Sequence, residues 1–597
     1  MKAGIEVVTL PVGDVDRALR FYTERAGFTL DVDYQPSDDF RVVQLTPPGS
    51  ACSVQLVADA AAGSTRGLHL VVDDIETTRD ALLGRGVAVS ALRHKAPLDD
   101  WRGGWAPGLE PSRADYATFA DFSDPDGNRW TLQERGFRAD ATLTADVLVI
   151  GFGKGGKTAA HRLADAGRRV VLVERSENMY GGTCPNVGCV PTKMLVHYAG
   201  NRRLEDDAQA FFASSVAGVR ALTSAFRAGN FEALDGKDTA TVITGSAAFV
   251  DPHTIAVGEG ADRITVRAPV ILINTGSEPM LPDITGLADS RRLVSSTQLI
   301  QQDRLPGRLV VIGGGYLGLE FAAIYRNFGA EVTVLEAADR LLRREDDDVA
   351  GAVTGILTGD GVRVVTGATV VDVRDGEGAA TVVYEHAGQT LTVEADAILA
   401  ATGRRPATAG LNLEAAGVRT TPRGAVEVDD HLRTSQPHIF ALGDVNGGPQ
   451  FTYVALDDAR IVLDQLLGEG RRTTTDRVAV PHTLFITPPL ATVGLTEREA
   501  RAQGRNIIVS REHVADIVAM PRAYTVEETR GLMKFVVDAD TDLILGAALL
   551  SIDAQEIVNT VALAIRHGIT AGELRDSIYT HPSSTEALNE VFDKRIA

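Results

Sequence analysis

Two stretches of the chain repeat one hydrophobic pattern. The first is a continuous apolar run, Asp146-Val147-Leu148-Val149-Ile150, of the kind buried in a parallel sheet. It leads through Gly151-Phe152-Gly153-Lys154-Gly155-Gly156 and an amphipathic helix to Arg169-Val170-Val171-Leu172-Val173-Glu174. The second leads from Leu309-Val310-Val311-Ile312 through Gly313-Gly314-Gly315-Tyr316-Leu317-Gly318 and a helix to Glu331-Val332-Thr333-Val334-Leu335-Glu336. First glycine to closing acid is 23 residues in both copies. The pattern predicts two βαβ units, each with G-x-G-x-x-G at its first turn. Glycine there lets the backbone turn tightly and approach a pyrophosphate resting on the helix N-terminus. Glu174 and Glu336 end the second strands, where an acid binds ribose hydroxyls. A carboxylate at Glu336 bonds a 2′-hydroxyl and repels a 2′-phosphate, which favours NADH over NADPH. Arg340 and Arg343 keep NADPH open.

The first quarter carries a different repeat. Val12-Gly13-Asp14-Val15-Asp16-Arg17-Ala18 begins a helix that ends near Gly27, and Val72-Asp73-Asp74-Ile75-Glu76 begins another that ends near Gly86. Both follow an alternating strand, with Asp14 and Asp74 as N-caps. Later strand-like runs turn at Asp124-Pro125-Asp126-Gly127-Asn128, a hairpin. This segment resembles the glyoxalase/bleomycin-resistance (vicinal oxygen chelate) fold of paired βαβββ modules. Metal-binding members carry His, Gln or Glu at four strand positions. Here Val7, Gly67 and Thr131 stand at three such places, with His69 nearby, so no metal site is expected. Trp101, Trp105, Tyr116 and Trp130 are candidates to line an apolar ligand pocket, or else are core and rim residues.

Composition narrows the classes. The net charge of −21, from 80 acids and 59 bases, disfavours nucleic acid and anionic membrane surfaces as partners. The N-terminus has no long apolar stretch, and no run of about 18 apolar residues occurs. A cytoplasmic protein is expected.

Two of the three cysteines sit in Gly181-Gly182-Thr183-Cys184-Pro185-Asn186-Val187-Gly188-Cys189-Val190-Pro191-Thr192-Lys193. Such a pair is usually redox-active in an intracellular enzyme. Five residues of regular helix rise about 7.5 Å, and a disulfide tolerates roughly 4.4–6.8 Å between Cα atoms. Cys184 is therefore expected at or before a helix N-terminus with a distorted first turn, which Pro185, Gly188 and Pro191 fit. A helix N-terminus also favours a thiolate. Cys52, in an alternating apolar run, is expected in a core.

With these motifs, about Ala145 to Ala597 resembles the class I pyridine nucleotide–disulfide oxidoreductases, which include lipoamide dehydrogenase, glutathione reductase and mercuric reductase. Thr275-Gly276 and Ala401-Thr402-Gly403 look like the turns joining the family's cofactor domains. Gly443-Asp444 looks like its second FAD motif, with the aspartate on the ribityl chain. His581-Pro582 with Glu586 looks like its catalytic His–Glu pair. The resemblance implies that Cys184 is the interchange thiol and Cys189 the flavin-facing thiol. It makes Lys193 and Glu320 an ion pair near the flavin, and His581 the acid–base oriented by Glu586. For FAD it implies Gly151, Gly153, Gly156, Glu174, Gly182, Thr183, Lys193, Thr275, Gly276, Gly443 and Asp444. For the nicotinamide cofactor it implies Gly313, Gly315, Gly318, Glu336 and Gly403. The family places the histidine in the partner subunit's site, so a homodimer is implied.

Gly151–Lys157 and Met179–Cys184 look most like the bacterial reactive-chlorine-resistance flavoenzymes, which are similar to mercuric reductase. The chain ends Val591-Phe592-Asp593-Lys594-Arg595-Ile596-Ala597 without the C-terminal cysteine pair of true mercuric reductase. The expected fold is α/β: two Rossmann-like dinucleotide-binding domains and an α+β C-terminal dimerisation domain, preceded by the α+β paired βαβββ domain. Expected boundaries are 1–135 for the glyoxalase-like domain, 136–144 for a linker, 145–279 and 396–476 for the FAD domain, 280–395 for the NAD(P) domain and 477–597 for the dimerisation domain. The expected activity passes electrons from NAD(P)H through FAD to the Cys184–Cys189 dithiol and on to a disulfide, metal-ion or oxidant acceptor. The alternative is a resistance protein whose N-terminal domain sequesters a small toxic ligand, with the flavoprotein as scaffold or flavin-only diaphorase.

Overall fold

The computed structural model describes residues 6–37, 40–96, 104–111, 113–135, 142–258 and 263–596. They fall into two compact units, one within the first 135 residues and one from residue 142 onward.

The first unit contains two modules. Each begins with a strand that pairs in parallel with the module's last strand: Val7–Val12 with Ser53–Ala58, and Leu68–Val72 with Arg129–Glu134. A helix follows each opening strand, α1 (Val15–Arg20, continued by a π-helical turn, Phe21–Arg25) and α2 (Ile75–Gly84). Asp14 accepts the Arg17 amide and Asp74 the Glu76 and Thr77 amides, so both carboxylates satisfy donors that a helix start leaves open. The second module departs from βαβββ. An extra strand makes its sheet five-stranded, because Arg93–Ala96 pairs with both Gly104–Pro107 and Thr118–Ser123.

The four candidate pocket aromatics do not share a face. Trp130 is 3% exposed and stacks on Phe122 in the core, whereas Trp105 is 50% exposed and meets Phe119 edge-on from the other side of the sheet. Tyr116 is half-buried, and Trp101 lies outside the described residues. Cys52 is half-buried in a bend before its strand, with its thiol toward the Ser53 carbonyl, rather than in the core. His69, not Gly67, occupies the strand, and its Nδ1 meets Gln133 Oε1 at 3.2 Å. Among the described residues no cluster of three or more His, Cys, Asp or Glu side chains could hold a metal ion.

In the second unit the first glycine pattern belongs to a parallel sheet ordered Ala240–Thr244, Val170–Glu174, Val147–Ile150, Val270–Ile273, Ile439–Ala441. Helix α3 (Lys154–Asp165) follows its glycine loop. The second pattern belongs to a parallel sheet ordered Leu293–Val294, Ala397–Ala400, Arg308–Ile312, Glu331–Glu336, Arg363–Thr366. Strand Ala397–Ala400 sits beside the central strand, so this sheet runs past residue 395, where the sequence closed the domain. Of the expected linker 136–144, Thr142–Thr144 is a strand parallel to Ile264–Arg267, while 136–141 lie outside the described residues. A six-stranded antiparallel sheet with helix Ala554–His567 against it forms the C-terminal part. Among the described residues no helix is long and apolar enough to cross a membrane.

One buried polar chain holds the first unit together. Trp130 Nε1 donates to the Tyr22 hydroxyl (2.9 Å), which donates to Asp124 (2.9 Å). Asp124 also accepts the amides of Asp126, Gly127 and Asn128, which shapes the hairpin turn. Tyr22→Phe removes the acceptor of the buried indole N–H, a loss of about 1–3 kcal/mol. All three tryptophans lie in the first 135 residues, so tryptophan fluorescence of the full chain reads this unit alone. Its urea midpoint is expected to fall in Tyr22→Phe, and an unchanged midpoint would show the chain of bonds to be dispensable.

Candidate active site

The two glycine loops are built alike, down to single contacts. Gly151 (φ 103°) and Gly313 (φ 109°) adopt backbone that side chains disfavour. A Cβ on either would meet the Asn274 or Ala401 carbonyl at 2.4 and 2.7 Å. Gly156 and Gly318 press on the carbonyls of those same first glycines, where a Cβ would come within 2.6 and 2.2 Å. Gly153 and Gly315 are the N-caps of α3 and of the second loop's helix, so amides face outward with no side chain in the way. The closing acids fold back identically. Glu174 accepts the Phe152 and Ser176 amides (3.0 and 3.3 Å), and Glu336 accepts those of Gly314 and Ala338 (2.6 and 2.8 Å). Burial pushes the Glu174 carboxyl above its ordinary range, against the pull of those amides. Each loop is thus a rigid cradle for a pyrophosphate with a carboxylate at the ribose end, which fits two dinucleotides. A cavity of about 1080 Å³ opens at the second loop, lined by Gly314, Gly315, Tyr316, Glu336, Arg343 and Arg344. Arg340 does not join them, because it pairs with Asp347.

The dithiol lies where a helix is broken. Thr183–Val187 forms a one-turn helix, α4. Gly188 interrupts it at φ −128°, ψ −120°, and α5 (Cys189–Gly200) restarts at Cys189. Cys184 lies in the first turn of α4, at the helix N-terminus as the sequence leads one to expect, and of the three residues that fit a distortion there it is Gly188 that makes the break, with Cys189 as the first residue of the longer helix. Both thiols are free and close enough for one to donate to the other. The direction is set by the surroundings. Cys189 is held below the ordinary thiol range, first by the hydrogen bond from Cys184, with Thr452 and the Lys193 charge adding to it against burial. Cys184 is pushed up by that same bond and by burial. The reduced pair therefore keeps its proton on Cys184 and a thiolate on Cys189. Cys189 Sγ meets Thr452 Oγ1 at 3.4 Å.

One turn along α5, Lys193 donates to both oxygens of Glu320 (2.9 and 2.7 Å). Glu320 is buried on the second-loop helix (Tyr316–Phe328) and also accepts the Phe485 amide. The Lys193 ammonium lies 4.5 Å from the centre of the Phe485 ring. Gly182 (φ 80°) packs on the first loop, since a Cβ there would lie 2.5 Å from Gly153 Cα, while Thr183 is exposed at the start of α4. Thus Lys193, Gly182 and the dithiol gather at the first loop.

The two joining turns and the second FAD motif also meet. Ser277–Pro279, after Thr275-Gly276, pairs with Arg404–Pro406, after Gly403. The Ser277 hydroxyl donates to Asp444 (2.7 Å) and accepts from Arg404 (2.8 Å), while Gly443 N–H bonds Asp458. Ser277, Arg404 and Asn274 escaped the sequence reading. All three adjoin a turn the sequence analysis names, Asn274 and Ser277 flanking Thr275-Gly276 and Arg404 following Gly403, and that adjacency was the signal present.

His581 stands apart. Its Nδ1 meets Glu586 at 2.8 Å, and its side chain is 71% exposed. Burial raises the Glu586 carboxyl, but the Ser583 amide and His581 together outweigh it and hold the group below its ordinary value. Nε2 remains outward-facing. No hydrogen bond or ion pair among the described residues joins this pair to the chain's own thiols.

A family model described as pyridine nucleotide-disulphide oxidoreductase matches residues 145–459, and that family's dimerisation domain matches 480–592. The glyoxalase/bleomycin resistance protein/dioxygenase superfamily model matches 4–132. A probable pyridine nucleotide-disulfide oxidoreductase, RclA of Escherichia coli, is 44% identical over 74% of this chain and 98% of that protein. Dihydrolipoyl dehydrogenase of Geobacillus stearothermophilus is 34% identical over 76% of this chain and 96% of its own. Mercuric reductase of Staphylococcus aureus is 35% identical over 76% of this chain and 83% of its own. A solved structure titled as a Cu(II) complex of the HOCl-induced flavoprotein disulfide reductase RclA covers 76% of this chain and 99% of that one, at 43% identity and a TM-score of 0.72.

The second loop gives a direct test. Gly318→Val drives a side chain into the Gly313 carbonyl, so flavin reduction by NADH is expected to slow at least tenfold, about 1.4 kcal/mol. Flavin content and reduction by dithionite should stay intact. Normal NADH reduction would exclude this loop as the nicotinamide site.

Proposed function

This chain belongs to the pyridine nucleotide-disulphide oxidoreductases, enzymes that use FAD and NAD(P)H, and from that premise we propose that its Cys184–Cys189 dithiol delivers electrons to Cu(II). The observation that carries the reading is the asymmetric thiol pair, with Cys189 heading α5 and Cys184 donating to it. FAD bound at the first loop supplies the passage of an electron pair from nicotinamide to the disulfide. On arrival the S–S bond breaks, Cys184 takes the proton and Cys189 keeps the thiolate. When the pair closes again, two electrons reduce two Cu(II) to Cu(I) and the Cys184 proton is released. Soft thiolates suit copper as it becomes Cu(I). The Cu(II) complex of the similar RclA supports this acceptor.

In this reading Cys184 is the interchange thiol and Cys189 faces the flavin. Lys193, fixed by Glu320, supplies positive charge beside Cys189. Asp444, steadied by Ser277, holds the ribityl chain, and the glycine loops with Glu174 and Glu336 hold the two dinucleotides. Thr183, Thr275 and Gly276 complete the flavin side, and Gly403 the nicotinamide side. The domain boundaries are those of the sequence, with the NAD(P) domain extended to include Ala397–Ala400. Glu336 at the strand end favours NADH, while Arg343 and Arg344 along the cavity leave NADPH as the weaker substrate. The enzyme works in the cytoplasm, whose reducing poise keeps such a dithiol cycling. The N-terminal unit binds a small ligand on the helix-free face that carries the exposed Trp105.

His581 and Glu586 complete the site of a second copy, which makes the enzyme a homodimer. The exposure of His581 and the match of the dimerisation domain support this. His581 Nε2 is free to exchange a proton with the partner's interchange thiol, while Glu586 fixes the ring through Nδ1.

The decisive variant is Cys184→Ser. NADH-dependent Cu(II) reduction is expected to fall at least a hundredfold, and in the wild type NADH should exceed NADPH tenfold in kcat/KM. In the wild type, two-electron reduction should raise a long-wavelength charge-transfer band from Cys189. That thiolate lies below the ordinary thiol range of about 8.5, so the band should persist at neutral pH and fade only as the pH drops through the lowered value. Unchanged copper turnover in Cys184→Ser would move the chemistry off the dithiol. Mixing Cys184→Ser with His581→Gln subunits should restore activity neither variant has alone, because one site of each mixed dimer is intact. Absence of restoration would put both residues in one subunit's site.

A further inference from the structure

The first glycine loop ends in a lysine that the mechanism leaves unused. Lys157, on α3, lies one turn past the N-cap Gly153. Its ammonium donates to Asn230 Oδ1 at 2.6 Å, on the long helix Ala208–Asp235, and is half-buried. Among the described residues no carboxylate pairs with it. A buried charge without a counter-charge is costly, and where it stands near a nucleophile it marks a functional position.

The surroundings show which nucleophile. Asn230 lies directly under the dithiol loop: a Cβ on Gly181 (φ 93°) would meet the Asn230 amide and Pro185 Cγ, both at 2.9 Å. Cys184 directly precedes Pro185, so the Lys157–Asn230 pair packs beneath the loop that carries the thiol. The other ionisable groups around Lys157 are Lys154 and His161, both on α3; Asn230, from the helix packed against it, is neutral. Burial, with Lys154 adding to it, lowers the Lys157 ammonium to about 8. The contrast with Lys193 is informative. Lys193 serves Cys189 but is neutralised by two bonds to Glu320. The cation on the Cys184 side has no such partner.

We propose that Lys157 is a positioning residue that makes the interchange thiol ionisable: held by Asn230 beneath the Gly181–Cys184 loop, its ammonium favours the Cys184 thiolate when that thiol must engage an acceptor. The inference rests on the reading of Cys184 as interchange thiol. Cys184 is a poor nucleophile, since its hydrogen bond to Cys189 and its burial retain the proton, against a hydrogen bond with Thr452 that favours the thiolate. The Lys157 cation, without a carboxylate partner, adds to Thr452 in opposing both, within the same subunit and separately from the histidine that the partner supplies.

The test uses the reduced holoenzyme. The rate of Cys184 alkylation by iodoacetamide, read by peptide mass spectrometry, is followed against pH in wild type, Lys157→Met, Lys157→Gln and Lys157→Arg, with the charge-transfer band recorded in each. The alkylation midpoint should rise by at least about half a pH unit in the Met and Gln variants. It should return toward wild type in Lys157→Arg, with the band present throughout. A midpoint that does not move in either neutral variant overturns the proposal. Loss of FAD from both neutral variants also overturns it, by making Lys157 a cofactor ligand. Failure of the underlying dithiol reading looks different: the wild type itself would then show no charge-transfer band.

Discussion

A disulfide cannot be closed across five residues of unbroken helix, and most of the active site follows from how this chain escapes that constraint. Gly188 breaks the helix between the cysteines. The break brings the sulfurs together and creates a second helix start at Cys189, whose backbone amides favour a thiolate there. It also sets the direction of everything downstream. Because α5 begins at Cys189, Lys193 falls one turn later and reaches Glu320, which ties the dithiol helix to the helix of the second glycine loop. A residue with a side chain at 188 would press on the Thr183 carbonyl at 2.9 Å, so the break depends on the smallest residue.

The glycine loops answer a second constraint, that of holding phosphate with backbone alone. In both, two glycines touch a carbonyl with no room for a methyl group, and the closing acid is bonded to the amide that follows the first glycine. The acid is therefore part of the loop's own framework before any ribose arrives. This gives the repeated 23-residue spacing a physical meaning: it is the distance over which a strand, a helix and a second strand return the carboxylate to the loop that it braces.

These features were legible because they are local. Glycine positions, strand runs, N-caps at Asp14 and Asp74 and the cysteine spacing all act within a few residues or one βαβ unit. What escaped depends on contacts between distant segments. Asn274 and Arg404 are ordinary in sequence and matter only because their strands return beside Gly151 and Ser277. Trp130 looked like its fellow aromatics, and only strand register assigns it to the core side of the sheet while Trp105 faces out. Thr142–Thr144 is too short and polar to announce a strand, and forms one because Ile264–Arg267 offers it an edge. The boundary near residue 395 failed for a related reason. Ala397–Ala400 sits beside the central strand of the second sheet although it is the last of its strands in the chain.

The charge arrangement around the thiols shows why two similar sulfurs can do different work. A thiol pair sharing one proton has no intrinsic preference for where the proton sits. Here the helix start, Thr452 and Lys193 all favour the anion on Cys189, and Cys184 can then only be the donor. Pairing Lys193 with Glu320 limits how far this asymmetry goes, because a fully unneutralised cation would fix the negative charge on Cys189 and make electron transfer out of the pair harder. Leaving Lys157 without a carboxylate shifts the balance back at the other sulfur. In the proposed enzyme the exposed His581 completes the arrangement, since a group assigned to receive the Cys184 proton is best supplied from a separate element. Kept there, it can be held rigidly by Glu586 without crowding the loop that the cysteines need in order to open and close.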